Sequence, residues 1–368
     1  MMNAGRGDLD ARGYQPRIAD LSVDLAFEAG RDDFGITIRM LNESRDEAIE
    51  LLRLALLEPR FDTDAGERIR SQILASIARD ATDPGSIASR AWREAAFPGH
   101  PYGRASEGTV ESVSAIGAAD LRGFVARTFA RDNTVLGAVG DVDAESLGAI
   151  LDRLFGDLPA HADLPVVEPA AAKGAGDTIV IERDIPQSVV VFGAPGLKRD
   201  DPDFYVAAVL MEAIGGGFGA RLTAEVREQR GLAYSVGANL ITYDRSGIIV
   251  GKSATRNERV AETVAVIRDV FADVVANGLA QEEIDDARSY IVGSYPLQWT
   301  SSRGTASGLV AIQLAGLPID YVNDRAALFG SVTREDVRRM AAELLDPANF
   351  LFVIVGRPDG IAGDPPAN

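Results

Sequence analysis

The chain has no cysteine and only two histidines, His100 and His161, among 368 residues. The first absence excludes disulfides, thiolate catalysis and cysteine-bound zinc, and it leaves the redox compartment open. Positive charge is also short, with 37 Lys and Arg against 55 Asp and Glu for a net charge of −18. A field of that sign disfavours nucleic acid and anionic membrane surfaces and draws in cationic, extended ligands. No apolar run reaches the roughly 18 residues that a membrane span needs. The opening MMNAGRGDLDARGY has no apolar signal core. The compartment is therefore periplasmic if a signal segment precedes this start and cytoplasmic otherwise.

What is present is a globular composition, 46% hydrophobic, of a length that suits two domains. Residues 1 to 13 are polar and Gly-rich and are expected to be poorly ordered. Helical or strand periodicity predicts a short helix over 14–21, strands over 23–29 and 34–40, and a helix capped by Ser44. That helix carries Ala48, Leu51, Leu52, Ala55 and Leu56 on one stripe. Further helices are expected at 64–80, 87–97, 118–129 and 143–155, with a buried strand at 134–139. The Pro- and Ala-rich stretch from Gly156 to Gly176 reads as a linker, which divides the chain into domains at 1–156 and 177–368 with 157–176 between them. Beyond it come strands at 178–183 and 189–193, a helix at 201–214, a strand pair at 231–240 and 248–254, helices at 258–276 and 282–295, and a strand at 350–355 that ends the sheet.

The densest pattern runs from Gly215 to Val236, GGGFGARLTAEVREQRGLAYSV. A Gly-rich turn opens it, Ala220 to Gln229 has the composition of a short helix, and Gly231 sits where the chain can leave that helix left-handed. In the strand that follows, Leu232, Tyr234, Val236 and Ala238 share one face, while Arg227 hangs from the last helical turn beside the strand's start. A planar cation and a phenol could therefore converge. The plain alternative makes Arg227 a solvated helix residue and Tyr234 a half-buried strand aromatic.

The two halves also repeat. Asp120-Leu121-Arg122, Asn133 and Gly140 return as Asp336-Val337-Arg338, Asn349 and Gly356, 216 residues later each time (336 − 120, 349 − 133, 356 − 140). This supports two homologous α+β domains. At that offset Ser253 maps onto Thr37, and the second half has 75 residues between Thr178 and Ser253 (253 − 178) where the first has only 36 before Thr37. The first domain is expected to be truncated.

The motif GGGF-x-x-RL…VRE-x-RGLAYSV, with Arg227 and Tyr234 seven residues apart (234 − 227), resembles the C-terminal homology domain of the pitrilysin/insulinase-like (M16) metallopeptidases. The resemblance runs from about Asp20 to Gly356. It implies two homologous M16-type (LuxS/MPP-like) α+β domains, each a mainly antiparallel sheet covered by helices, the first incomplete at its N-terminus. It also implies that Arg227 and Tyr234 hold substrate backbone near the scissile bond while zinc sits on the other homology domain.

M16 peptidases bind zinc through His-x-x-Glu-His on a helix plus a more distant Glu. Here neither histidine has such a partner, and the residue aligned with the distal Glu, in ERIRSQILASI, is Ser76, a poor zinc ligand. No metal is expected on this chain. The resemblance is to the subunit of a two-chain protease that carries the Arg/Tyr pair, which implies a zinc-bearing homologue as partner, zinc in that partner, and an unfolded peptide as substrate. A non-proteolytic binding or assembly scaffold of the same fold is the alternative. The Gly215–Gly219 turn lacks the Lys-Ser/Thr of a phosphate-binding loop. Glu282, Glu283, Asp285 and Asp286 open a helix, where its dipole favours them, and read as a cap rather than a metal site. Trp299 is expected to pack at the domain interface.

Overall fold

The computed structural model describes residues 5–6 and 9–363. It is a mixed α/β protein that packs as two compact units interleaved along the chain. One comprises the residues up to Ala78, Ser106–Val166 and Gln298–Leu314; the other comprises Arg79–Ala105, Val167–Leu297 and the residues from Ala315 on.

In the first unit, β1 (Gly5–Arg6) and β2 (Leu9–Asp10) pair and run into α1 (Ala11–Asp20), so these parts of the stretch expected to be unordered have regular structure; its other residues up to Asp8 lie outside the described ones. β3 (Asp24–Ala29) and β4 (Phe34–Arg39) form an antiparallel hairpin. Helix α2 (Arg45–Leu57) buries the whole predicted stripe from Ala48 to Leu56. Ile49, Leu52 and Leu56 meet Leu154 of α7 (Ala144–Phe155) and the inner residues Leu25, Phe27, Ile36 and Ile38 of the hairpin. Ser44 precedes α2 but makes no side-chain capping bond, because a 3-10 turn at Asn42–Ser44 already holds its backbone near helical angles. Asp143 does cap α7, accepting from the Ser146 amide at 2.7 Å. The long helix α3 (Thr63–Asp80) buries only Ala65, and Arg70 ties it to the carbonyls of Val113, Ser114 and Ile116 at the end of α5 (Val110–Ala115).

The strand expected at Thr134–Val139, after α6 (Ala118–Thr128), is not formed, and the segment is half-exposed. Its sequence has strand character, but a strand exists only when a neighbour accepts its ladder bonds, and none pairs with it among the described residues. It lies instead on α11 (Ser302–Leu314). Gln313 Nε2 donates to the Leu136 carbonyl at 2.9 Å, and Gly137 faces Ala306 and Val310. Trp299 stacks on Gly308 of the same helix.

The second unit holds a five-stranded, mainly antiparallel sheet in the order β5 (Thr178–Glu182), β9 (Leu351–Gly356), β6 (Gln187–Pro195), β8 (Gly247–Arg256), β7 (Ala233–Thr242). Only β5 and β9 run parallel. The strand expected to end the sheet, β9, is interior and wholly buried. Alternation sorts its residues and those of β6. Val190, Phe192, Phe352 and Ile354 face α8 (Phe204–Gly215), α9 (Val260–Asn277) and α13 (Arg334–Leu344), with α10 (Gln281–Ser294) and α12 (Tyr321–Gly330) behind. Val191, Leu351, Val353 and Val355 face α4 (Pro84–Ala96), whose Trp92 is 1% exposed and donates from Nε1 to the Leu351 carbonyl at 3.2 Å. Residues 79–105 therefore pack with the C-terminal sheet although they precede it by some eighty residues in the chain. The helices α4 and α11, 218 residues apart (302 − 84), play parallel parts: Trp92 bonds β9, and Gln313 bonds the segment that corresponds to β9 in the repeat.

Candidate functional site

The Gly-rich motif folds as a tight connection between a buried helix and an edge strand. Helix α8 is apolar on nearly every side and ends on Gly215 because nothing larger fits there: a Cβ would lie 2.9 Å from the Ala238 Cα and closer still to its N and O. The turn that follows is pinned at Gly217, whose carbonyl accepts from the Ala220 amide at 3.2 Å and the Thr223 hydroxyl at 3.0 Å. Arg221 anchors the next element through bonds from Nε and Nη2 to Glu283 and from Nη1 to Asp273. Burial works against its charge, but the Glu283 carboxylate outweighs this and holds its pKa above the ordinary value. Glu283 also accepts from the Ala280 amide at 2.8 Å, so it caps α10 as its position at a helix start predicts.

The helix expected over 220–229 is present but wider than an α-helix, with π geometry from Thr223 to Gln229. It ends with Gly231 at φ +57°, the left-handed exit, and the Leu232 amide bonds back to the Val226 carbonyl. The strand then opens with a β-bulge: Ala233 pairs Thr255 and Val236 pairs Ser253, so Tyr234 and Ser235 together oppose one residue. The bulge corrects the simple alternation. Leu232, Ala233 and Ala238 are buried, whereas Tyr234, expected on the face of Leu232 and Ala238, is turned out to 91% exposure.

Arg227 and Tyr234 do converge, since the Arg227 Cζ lies 5.8 Å from the Tyr234 ring centroid. A third residue of the motif, to which the sequence alone assigns no role, joins them. Phe218, at the tip of the turn and 78% exposed, has its ring centroid 5.0 Å from the same Cζ. A large aromatic between two glycines was the available signal. Neither the guanidinium nor the phenol has a hydrogen-bond or ion-pair partner among the described residues, and Glu225 on the same helical turn is already bound to Gln229 and Arg230. The arrangement therefore presents a donor fork and a hydroxyl to solvent, beside two ring faces. Such a set can donate to carbonyl or carboxylate oxygens.

Glu212 lies one helical turn before the Gly-rich loop, with its carboxyl against Gly216 where a Cβ would collide with it. Burial pushes its pKa above the usual glutamate value.

The candidate metal donors His100 and His161 are each bonded to different partners. His100 accepts from the Tyr102 amide at Nδ1 and bonds the Glu168 carbonyl through Nε2 at 3.0 Å; exposed His161 bonds Asp132. Ser76 is a half-buried hydroxyl on α3. No group of three or more His, Cys, Asp or Glu among the described residues could hold a metal ion. A neutral hydroxyl and two imidazoles committed to other partners do not fit a zinc site among the described residues. No helix among the described residues is long and apolar enough to cross a membrane.

The second unit thus sets a mainly antiparallel sheet under helices and places Arg227 beside Tyr234 after a Gly-rich turn. Residues 115–291 match the family described as the peptidase M16 inactive domain. A protein named non-peptidase homolog YmxG from Helicobacter pylori is 28% identical over 87% of this chain and 74% of its own length. An uncharacterized zinc protease of Mycobacterium tuberculosis is 31% identical over 81% of this chain and 69% of its own. The crystal structure of a peptidase M16 inactive domain from Pseudomonas fluorescens superposes with a TM-score of 0.91 at 30% identity, covering 99% of this chain and 88% of that one. The chain belongs to the peptidase M16 family, as a member that lacks the His-x-x-Glu-His motif.

Proposed function

We propose that this chain is the zinc-free, substrate-holding subunit of a two-chain M16 peptidase, and that it supplies Arg227 and Tyr234 to the zinc site of a partner homologue. The observation that carries the reading is the unsatisfied pair itself. In a chain with 55 acidic residues, an arginine kept off every described carboxylate and set beside a nearly fully exposed tyrosine is arranged for an external acceptor. Arg227 donates to backbone carbonyls of an extended, unfolded peptide, and the Tyr234 hydroxyl donates to the carbonyl oxygen as charge develops on it. The chain's net charge of −18 attracts cationic peptides at long range. On this reading the first unit is a homologue of the second that lacks the counterparts of β5, β6 and α8; the half-exposed 134–139 segment and the sparsely covered α3 support it. The name of the Helicobacter relative favours the alternative, a binding or assembly scaffold without proteolysis.

The test mixes the purified chain with a His-x-x-Glu-His homologue and follows cleavage of a quenched peptide. The chain alone is expected to be inactive and to hold no stoichiometric zinc. Arg227→Ala and Tyr234→Phe should each lower the activity of the mixture on the order of a hundredfold with assembly intact, the effect of losing one preorganised donor. Arg227→Lys should recover little, because it keeps the charge and loses the fork. Full activity in both variants would sink the reading in favour of the scaffold, and chelator-sensitive cleavage by the chain alone would sink it altogether.

A further inference from the structure

The Arg227 guanidinium lies over two ring faces, those of Phe218 and Tyr234. A guanidinium lying over an aromatic ring is attracted by the ring quadrupole and spends none of its five N–H donors on the contact. Phe218 supplies the nearer ring, at 5.0 Å, and it does so from a position that costs apolar exposure: 78% of the residue faces solvent, while the apolar residues of α8 just before it are buried. The turn is built to hold it there. The Gly217 carbonyl is tied to the Ala220 amide and the Thr223 hydroxyl, which fixes the residue before Phe218 to the start of the helix that carries Arg227. Gly217 and Gly219 have open space around them, so no packing against the turn forces the ring outward.

We propose that Phe218 is a positioning residue for Arg227: its ring face holds the guanidinium with the N–H edge free, and so sets the donor fork that meets a peptide carbonyl. The proposal rests on the reading of Arg227 as a peptide ligand given above. It assigns to the tip of the Gly-rich turn a role distinct from steric permission for the turn, and it separates the ring's π face from its bulk. Without the ring, the guanidinium is free to swing and to seek a carboxylate such as exposed Glu228 next to it in the chain.

Two measurements on the full-length chain test this. In the first, the NMR shift of the Arg227 Nε–H reports the ring currents of its neighbours. Phe218→Ala and Phe218→Leu should both move it towards the value of a free arginine, and Phe218→Tyr should keep it. In the second, a dye-labelled, unstructured peptide of Lys, Gly, Ser and Leu is titrated by fluorescence anisotropy. Phe218→Ala should weaken binding roughly two- to fivefold, the range for a cation–π contact at an exposed site. Phe218→Leu should behave like Phe218→Ala, and Phe218→Tyr should restore the affinity. In an Arg227→Ala background, Phe218→Ala should add nothing, because the ring acts through the guanidinium. An unchanged Nε–H shift in Phe218→Ala, or additive losses in the double variant, would overturn the positioning role, the latter by making Phe218 a peptide contact in its own right. A wild-type chain that binds no such peptide, with the shift still dependent on Phe218, would instead overturn the peptide reading of Arg227.

Discussion

Replacing Gly215 by Ala sets two opposed effects against each other, and the geometry decides between them. At the end of a helix, an added methyl favours folding by roughly 1 kcal/mol through helix propensity and the reduced freedom of the unfolded chain. Against this, the Cβ would stand 2.9 Å from the Ala238 Cα and nearer to its N and O, and these are backbone atoms of a fully buried strand residue that no rotamer change can move. Relief requires α8 and β7 to separate by about half an ångström or more, the kind of overpacking that costs about 1–3 kcal/mol. Because three backbone atoms are met at once, the upper part of that range applies, and the net expectation is a loss of roughly 1–2 kcal/mol for Gly215→Ala. Two residues further on the balance reverses. Nothing lies within 4 Å of a Cβ at Gly217 or Gly219, so Ala there should be neutral or stabilising by a few tenths of a kcal/mol. Urea unfolding followed by Trp92 fluorescence, with Trp299 replaced by Phe, reads the second unit alone. If Gly215→Ala proved as stable as the parent, or if Gly217→Ala cost as much as Gly215→Ala, the close-contact account of this turn would fail.

Trp92→Ala removes a fully buried ring whose edge packs over Gly193, and it should cost on the order of 3–5 kcal/mol in urea unfolding followed by circular dichroism, with Phe recovering most of the packing but not the bond to Leu351. Arg221→Ala leaves Glu283 and Asp273 without their cation and should destabilise the second unit by about 2 kcal/mol; Arg221→Lys should recover only part, since it cannot bond both carboxylates through a fork. For Glu212, burial raises the folded-state pKa above that of the unfolded chain, so the penalty for the charged form is fully present above the folded pKa and is relieved as pH falls through it. Glu212→Gln should therefore stabilise at neutral pH, and thermal melts across acid pH should show its advantage shrinking; an advantage that grew with acidity would contradict the burial account.

The helices were legible in the sequence because their bonds and their apolar stripes are local. The stripe of α2, the acidic cap of α10 and the left-handed exit at Gly231 can each be read from residues within a few positions of one another. The absence of a His-x-x-Glu-His motif and the hydroxyl at Ser76 are likewise facts of sequence alone. Strands are another matter, since a strand is completed by a partner far along the chain. Thr134–Val139 and Leu351–Gly356 occupy the same place in the repeat, yet only the second is a strand, because β5 and β6 flank it. The sequence also determined that Arg227 and Tyr234 lie near each other, through the spacing of a short helix and a strand. Tertiary structure decided how they are presented. One bulge between Ala233 and Val236 turned Tyr234 out of the core, a π-helical turn carried Arg227, and the fold of the glycine turn brought Phe218 over the guanidinium. The physical reason is range: helix geometry is set by contacts three to five residues apart, whereas the register of a ladder and the face of a ring depend on what the rest of the chain places opposite them.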